Sequence, residues 1–148
     1  MKKILFVCHG NICRSPMAEF VMKHLVEKAG RTEEFEIASA ATSTEEIGNP
    51  VYPPAKRKLA EHGISCNGKT ARQITTSDYK YYDYIIGMDS YNYRNMLRFF
   101  GGDPDDKITL LLEHTNRPGD VADPWYTGNF DATWFDCMEG CIELLKKI

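Results

Sequence analysis

Five residues separate Cys8 from Arg14 in the string Cys8-His9-Gly10-Asn11-Ile12-Cys13-Arg14-Ser15-Pro16. The apolar run Ile4-Leu5-Phe6-Val7 precedes this string, and Ser15-Pro16 suits a helix start, with serine as the cap and proline in the first turn. The segment therefore reads as a short loop from a buried strand into a helix. Backbone N–H groups of such a loop can converge on one point, and the helix start adds its own free N–H groups and its dipole. A guanidinium offers a planar fork that matches two phosphate oxygens. A sulfur beneath that cradle lies in a positive field that favours the thiolate, a strong nucleophile at neutral pH. The same cradle stabilises charge on the equatorial oxygens during phosphoryl transfer. For Cys8 alone, an inert core thiol is the simpler reading. Cysteine, five residues, arginine and serine at a strand-to-helix turn are hard to explain by packing.

A leaving oxygen also needs a proton. Asp123-Pro124 lies in a long late loop, where a carboxyl near a thiolate and a phosphate would keep its proton more readily. Read alone, Asp-Pro is better explained by a turn. Trp125 and Tyr126 follow it, as walls for a flat ring or as packing residues. Asn11 and Ser15 are short polar groups at the bend of the first loop, where a turn asparagine and a helix cap are the plain alternatives.

The elements that must position these residues alternate. Residues 3–8 form a continuous apolar run, as expected of a strand buried on both faces. A helix from Ser15 to Ala29-Gly30 carries Met17, Phe20, Val21 and Leu25 at helical spacing. Further strands are expected at 35–41, 83–88 and 107–112, with helices at 55–62 and 92–100. Residues 42–54 and 115–129 read as loops. Trp134, Met138, Cys141, Ile142 and Leu145 are expected to form the inward face of a last helix. In the tyrosine run Tyr79, Tyr81, Tyr82 and Tyr84, alternate members are expected to enter the core. This order predicts a single α/β domain, 1–148, with a central four-stranded parallel sheet, helices on both faces and a phosphate-binding loop after the first strand. In such sheets ligands sit at the carboxyl ends of strands, where Cys8 falls.

With 148 residues, 43% hydrophobic and 26% charged, the chain has the composition of one ordinary globular domain. A net charge of -3 argues against a nucleic-acid partner. No stretch approaches membrane-spanning length, and the first apolar run is too short for a signal peptide. A cytoplasmic location with reduced thiols is expected. Cys8, Cys13, Cys66, Cys137 and Cys141 show neither a disulfide framework nor the ligand spacing of a zinc site.

The sequence closely resembles the low-molecular-weight protein tyrosine phosphatases over nearly its whole length. The matching segments are Cys8–Pro16, Ser39-Ala40-Ala41-Thr42-Ser43, Ala71-Arg72-Gln73-Ile74, Met88-Asp89 with Asn92, and Asp123-Pro124 with the two aromatics after it. The resemblance implies a phosphocysteine intermediate on Cys8, with Arg14 holding the phosphate and Asp123 as general acid. It makes a phosphotyrosine protein or peptide the substrate, and no cofactor is needed. His9, Gly10, Asn11, Ile12, Cys13, Ser15, Trp125 and Tyr126 would line the substrate and phosphate site. It implies that Asn11 holds the loop in shape, that Ser15 hydrogen-bonds the thiolate, and that Ser39 joins them. It also suggests a reversible Cys8–Cys13 disulfide under oxidant.

Three positions depart from the family pattern. His9 replaces an aliphatic residue, Glu45 stands where an aromatic often walls the pocket, and Lys69 replaces a histidine of the Asn11/Ser15 network. The last change predicts an incomplete network. Related scaffolds offer two rival activities. An arsenate reductase would need relay cysteines near Met88-Asp89, where none occurs. A protein-arginine phosphatase has a threonine where this chain has Ile12. A phosphate-binding module without catalysis is a third reading, opposed by the joint presence of Cys8, Arg14 and Asp123.

Overall fold

The computed structural model describes residues Met1–Ile148. Four parallel strands form one sheet: β1 (Lys2–Cys8), β2 (Phe35–Ala41), β3 (Tyr84–Gly87) and β4 (Ile108–Leu110), in the order β2-β1-β3-β4. Ile4, Leu5, Phe6 and Val7 are fully buried because β1 is an inner strand covered on both faces. Ile4, Phe6 and Cys8 face one cluster, with Met17, Val21 and Met22 of helix α1 (Arg14–Lys28), Leu59 of α2 (Pro53–Glu61) and Cys137, Cys141 and Leu144 of α6 (Phe130–Lys147). Leu5 and Val7 face the other, with Tyr79 of α3 (Thr76–Tyr81) and Met96 of α4 (Ser90–Phe100). The α/β class, the parallel sheet and the helices on both faces agree with the sequence reading. No helix is long and apolar enough to cross a membrane.

Several local expectations are corrected. Helix α1 starts at Arg14 with Cys13 before it and no side-chain cap, so Ser15 is not the cap; its hydroxyl is used elsewhere. The expected strand 107–112 is only Ile108–Leu110, because Leu111 and Leu112 turn inward in a 3-10 segment and are buried. The sequence reading misses helix α3, whose start is held by the Asp78 carboxylate accepting the Thr75 backbone N–H at 2.7 Å. The helix places Tyr79 and Tyr82 inward and Tyr81 outward, a helical spacing rather than an alternation. The 115–129 loop contains one helical turn, α5 (Pro124–Thr127). On α6 the buried face runs through Thr133, Cys137, Cys141 and Leu144, while Ile142 is exposed. Gly140 sets that rotation: a Cβ there would collide with the Leu111 side chain, so the helix approaches the 3-10 segment after β4 at its glycine.

Candidate active site

The loop after β1 closes around its first residue. The Cys8 sulfur receives the Asn11 backbone N–H at 3.3 Å and lies 3.0 Å from the Ser15 hydroxyl. Asn11 reaches this geometry at φ 61°, a left-handed conformation that asparagine tolerates better than most residues. On the loop's outer side the carbonyls of Cys8, His9 and Ile12 accept from the backbone N–H groups of Thr42, Ser43 and Tyr52. With every peptide trans, the N–H groups of His9, Gly10 and Cys13 point the opposite way. The uncapped start of α1 adds its free N–H groups.

Beneath the loop lies a chain of polar side chains. The Asn11 amide donates to Ser15 Oγ at 2.8 Å and to Ser39 Oγ at 2.9 Å, and its oxygen accepts the Arg72 N–H at 3.2 Å. Ser15 accepts from Asn11, so its own hydrogen is free for the Cys8 sulfur. The expectation of an incomplete network at Lys69 is wrong. Its ammonium donates to the Ser39 carbonyl at 2.9 Å and lies 3.3 Å from Glu19.

Arg14 is almost wholly buried. It donates to Asp89 at 2.6 Å, to the Val121 carbonyl at 3.0 Å and to Asp123 at 3.4 Å. Burial works against its charge. The Cys8 charge, the Asp89 hydrogen bond and the Asp89 and Asp123 charges outweigh burial and hold it above the ordinary arginine value. Asp123 caps α5, one carboxylate oxygen accepting the Trp125 N–H at 3.0 Å. The Trp125 ring leans on Tyr52 with centroids 4.9 Å apart.

These groups enclose a cavity of about 220 Å³. Of the residues expected from the sequence, Cys8, His9, Gly10, Ile12, Cys13, Arg14, Asp123, Trp125 and Tyr126 line it. Asn11 and Ser15 lie behind the wall, buried, and act on the sulfur from below. Trp125 and Tyr126 are exposed walls rather than core residues. At the mouth, Glu45 meets His9 at 2.8 Å and Glu46 accepts from Asn49 at 2.6 Å. Asp89, Glu19 and Glu46 were not singled out as site residues. Asp89 is signalled only by the Met88-Asp89…Asn92 match, and Glu19 only as a charge among the apolar positions of α1.

The other four cysteines are buried thiols. Burial, then the Cys8 and Asp123 charges, push Cys13 up to about 12. Burial also raises Cys66, Cys137 and Cys141. Cys137 and Cys141 face the Arg14 and Ala18 carbonyls of α1 in the core. No group of three or more histidine, cysteine or acidic side chains is arranged to hold a metal ion. The arrangement offers a nucleophilic sulfur, an anion cradle and an adjacent carboxyl group.

Residues 3–148 match the family described as low molecular weight phosphotyrosine protein phosphatase. The Bacillus subtilis low molecular weight protein-tyrosine-phosphatase YfkJ is 39% identical over 150 residues, covering 100% of this chain and 96% of that one. Its crystal structure gives a TM-score of 0.97 over 100% of this chain and 94% of that chain. A low molecular weight protein tyrosine phosphatase from Streptococcus pyogenes is 43% identical with a TM-score of 0.90, covering 100% and 93%. A drosophila arginine phosphatase is 32% identical with a TM-score of 0.88, covering 99% and 97%.

Proposed function

Because the chain belongs to the low molecular weight phosphotyrosine protein phosphatase family, we propose that Cys8 takes the phosphoryl group from phosphotyrosine in proteins or peptides. The observation that carries this reading is the Cys8 sulfur at the cavity floor, hydrogen-bonded by the Asn11 N–H and the Ser15 hydroxyl.

In the first step the S–P bond forms as the P–O bond to the phenol breaks. Asp123 passes its proton to the leaving oxygen, and Arg14 with the loop N–H groups bears the charge on the equatorial oxygens. In the second step water attacks phosphorus, Asp123 takes the water's proton, and S–P cleavage returns the thiolate and releases inorganic phosphate. The exposed Trp125 and Tyr126 rings suit a flat aryl group.

Cys8→Ser is expected to abolish turnover of phosphotyrosine peptides while retaining the fold and vanadate binding. Retained turnover would overturn the assignment. Phosphoarginine peptides at equal concentration separate the second reading, which the drosophila relative raises. Ile12, an apolar wall of the cavity, favours the aryl substrate.

A further inference from the structure

We propose that Glu19, backed by Lys69, is a positioning residue for the Cys8 sulfur, acting through the Ser39 hydroxyl and the Asn11 amide. The proposal rests on the reading of Cys8 as nucleophile. Glu19 is only 4% exposed, yet it lies on the face of α1 that packs Met17, Ala18, Val21 and Met22. A carboxylate so placed is costly unless paired and hydrogen-bonded. Glu19 has three partners: Lys23 at 2.6 Å, Lys69 at 3.3 Å and the Ser39 hydroxyl at 2.5 Å. Lys69 also grips the Ser39 carbonyl, so one ammonium holds both ends of the Ser39–Glu19 contact.

The hydrogens in this chain can point only one way. The Arg72 N–H occupies the Asn11 oxygen, so the Asn11 NH₂ must face Ser15 and Ser39. Each serine therefore accepts from Asn11 and keeps one hydrogen to give away. Ser15 gives its hydrogen to the Cys8 sulfur, and Ser39 gives its own to Glu19. Without an acceptor at Glu19, the buried Ser39 hydrogen is orphaned and competes with the Asn11 donor. Asn11, held at φ 61°, then loses the anchor that aims Ser15 at the sulfur.

Other ionisable groups surround both ends of this chain. Arg14, Cys13 and Cys137 lie within electrostatic reach of Cys8, with Asp123 beside Arg14 and Cys13, while Lys23, Lys69 and Cys66 surround Glu19 and Arg72 adds its charge near Lys69. These charges make the sign of the effect diagnostic. Removing a negative charge at Glu19 through space alone would ease formation of the thiolate. Breaking the hydrogen-bond chain would hinder it.

The experiment follows carboxymethylation of Cys8 by iodoacetate against pH, with vanadate binding and thermal melting as controls. Glu19→Met is expected to move the alkylation curve to higher pH by about one unit, a roughly tenfold slower reaction on its rising limb. Glu19→Gln should behave as wild type, because its amide oxygen can still accept from Ser39 while the half-exposed Lys23 turns to water. Ser39→Ala should shift the curve as Glu19→Met does, and adding Glu19→Met to it should shift nothing further. An unmoved curve, or a move to lower pH, in Glu19→Met overturns the proposal. A full additional shift in the Ser39→Ala background does the same. If Glu19→Met does not fold, Ser39→Ala decides alone, and an unmoved curve there is fatal. Failure of the underlying reading shows differently: wild-type protein alkylated at Cys8 would keep its turnover.

Discussion

The Arg14 guanidinium donates to the Asp89 carboxylate at 2.6 Å, with the two side chains only 3% and 15% exposed. One fork nitrogen is thus tied to a residue that also caps α4 through the Asn92 N–H at 2.8 Å. The cap fixes the carboxylate, and the carboxylate fixes the guanidinium. Asp89→Asn keeps a capping oxygen but loses the charge. It should lower kcat/KM about tenfold and weaken vanadate inhibition in parallel, with little change in melting temperature. Undiminished vanadate inhibition would mean that the Val121 carbonyl and Asp123 suffice to hold Arg14.

Asp123 stands beside Arg14, with its second oxygen used by the Trp125 N–H. Asp123→Ala should slow phenyl phosphate by about 10²–10³-fold, and activated aryl phosphates much less, because a good leaving group needs no proton. Rates across a series of phenols check this. A uniform loss would remove Asp123 from the proton transfer.

The thiols should separate by reactivity. Cys13, pushed up to about 12, carries roughly one part in 10⁵ of thiolate at pH 7, and the three core cysteines are also raised. Mass spectrometry after brief iodoacetate treatment at pH 7 should therefore find one modified residue, Cys8. Comparable labelling of Cys13 would contradict the electrostatics of the loop.

Much of this site is legible from local order. Ile4–Val7 and Ile85-Ile86 declare buried strands because every side chain is apolar, and the string from Cys8 to Ser15 keeps its chemistry within a single loop. Contacts between distant positions are not legible in this way. Arg14 with Asp89, and Glu19 with Ser39 and Lys69, join residues whose pairing depends on the order of the strands. The tyrosines of helix α3 hide it by suggesting a strand, although Thr75 and Asp78 carry the capping signal. On α6 the choice of face rests on Gly140, which contributes no hydrophobicity and so leaves no trace in an apolar pattern.

His114 supplies a pH dependence of stability. Burial, then the Lys147 charge, lower it from 6.5. Lys147 can only donate, so Nδ1 accepts at 3.3 Å and Nε2–H donates to Thr109 at 2.8 Å. The folded protein thus prefers neutral histidine, and the unfolded chain binds the extra proton. The contribution is complete above pH 6.5 and is lost as pH falls toward the lower folded value. Urea midpoints between pH 7.5 and 5.5 should fall less in His114→Gln than in wild type; equal slopes would refute the assignment.

The mouth of the cavity carries the Glu45 and Glu46 carboxylates, with His9 bonded to Glu45. Phosphotyrosine peptides with lysine or arginine beside the target should be preferred over those with glutamate. Glu45→Gln should shrink the ratio of their kcat/KM values by about 2–5-fold at low salt, and less at high salt. A ratio unaffected by the substitution would show that the rim charge does not read the peptide.

The ladder of β1 has a consequence for how freedom of movement is divided in the molecule. Cys8 ends a strand paired on both sides, with Cys8 itself opposite Ala41 and Val7 opposite Gly87, so displacing the sulfur means shifting three strands together. Asp123 lies outside the sheet, ahead of a single helical turn whose tryptophan rests on one tyrosine. On the proposed mechanism, rigidity is thus allotted to bond making and pliancy to proton delivery. A partly loosened molecule would go on attacking activated esters after it had ceased to help poor leaving groups depart.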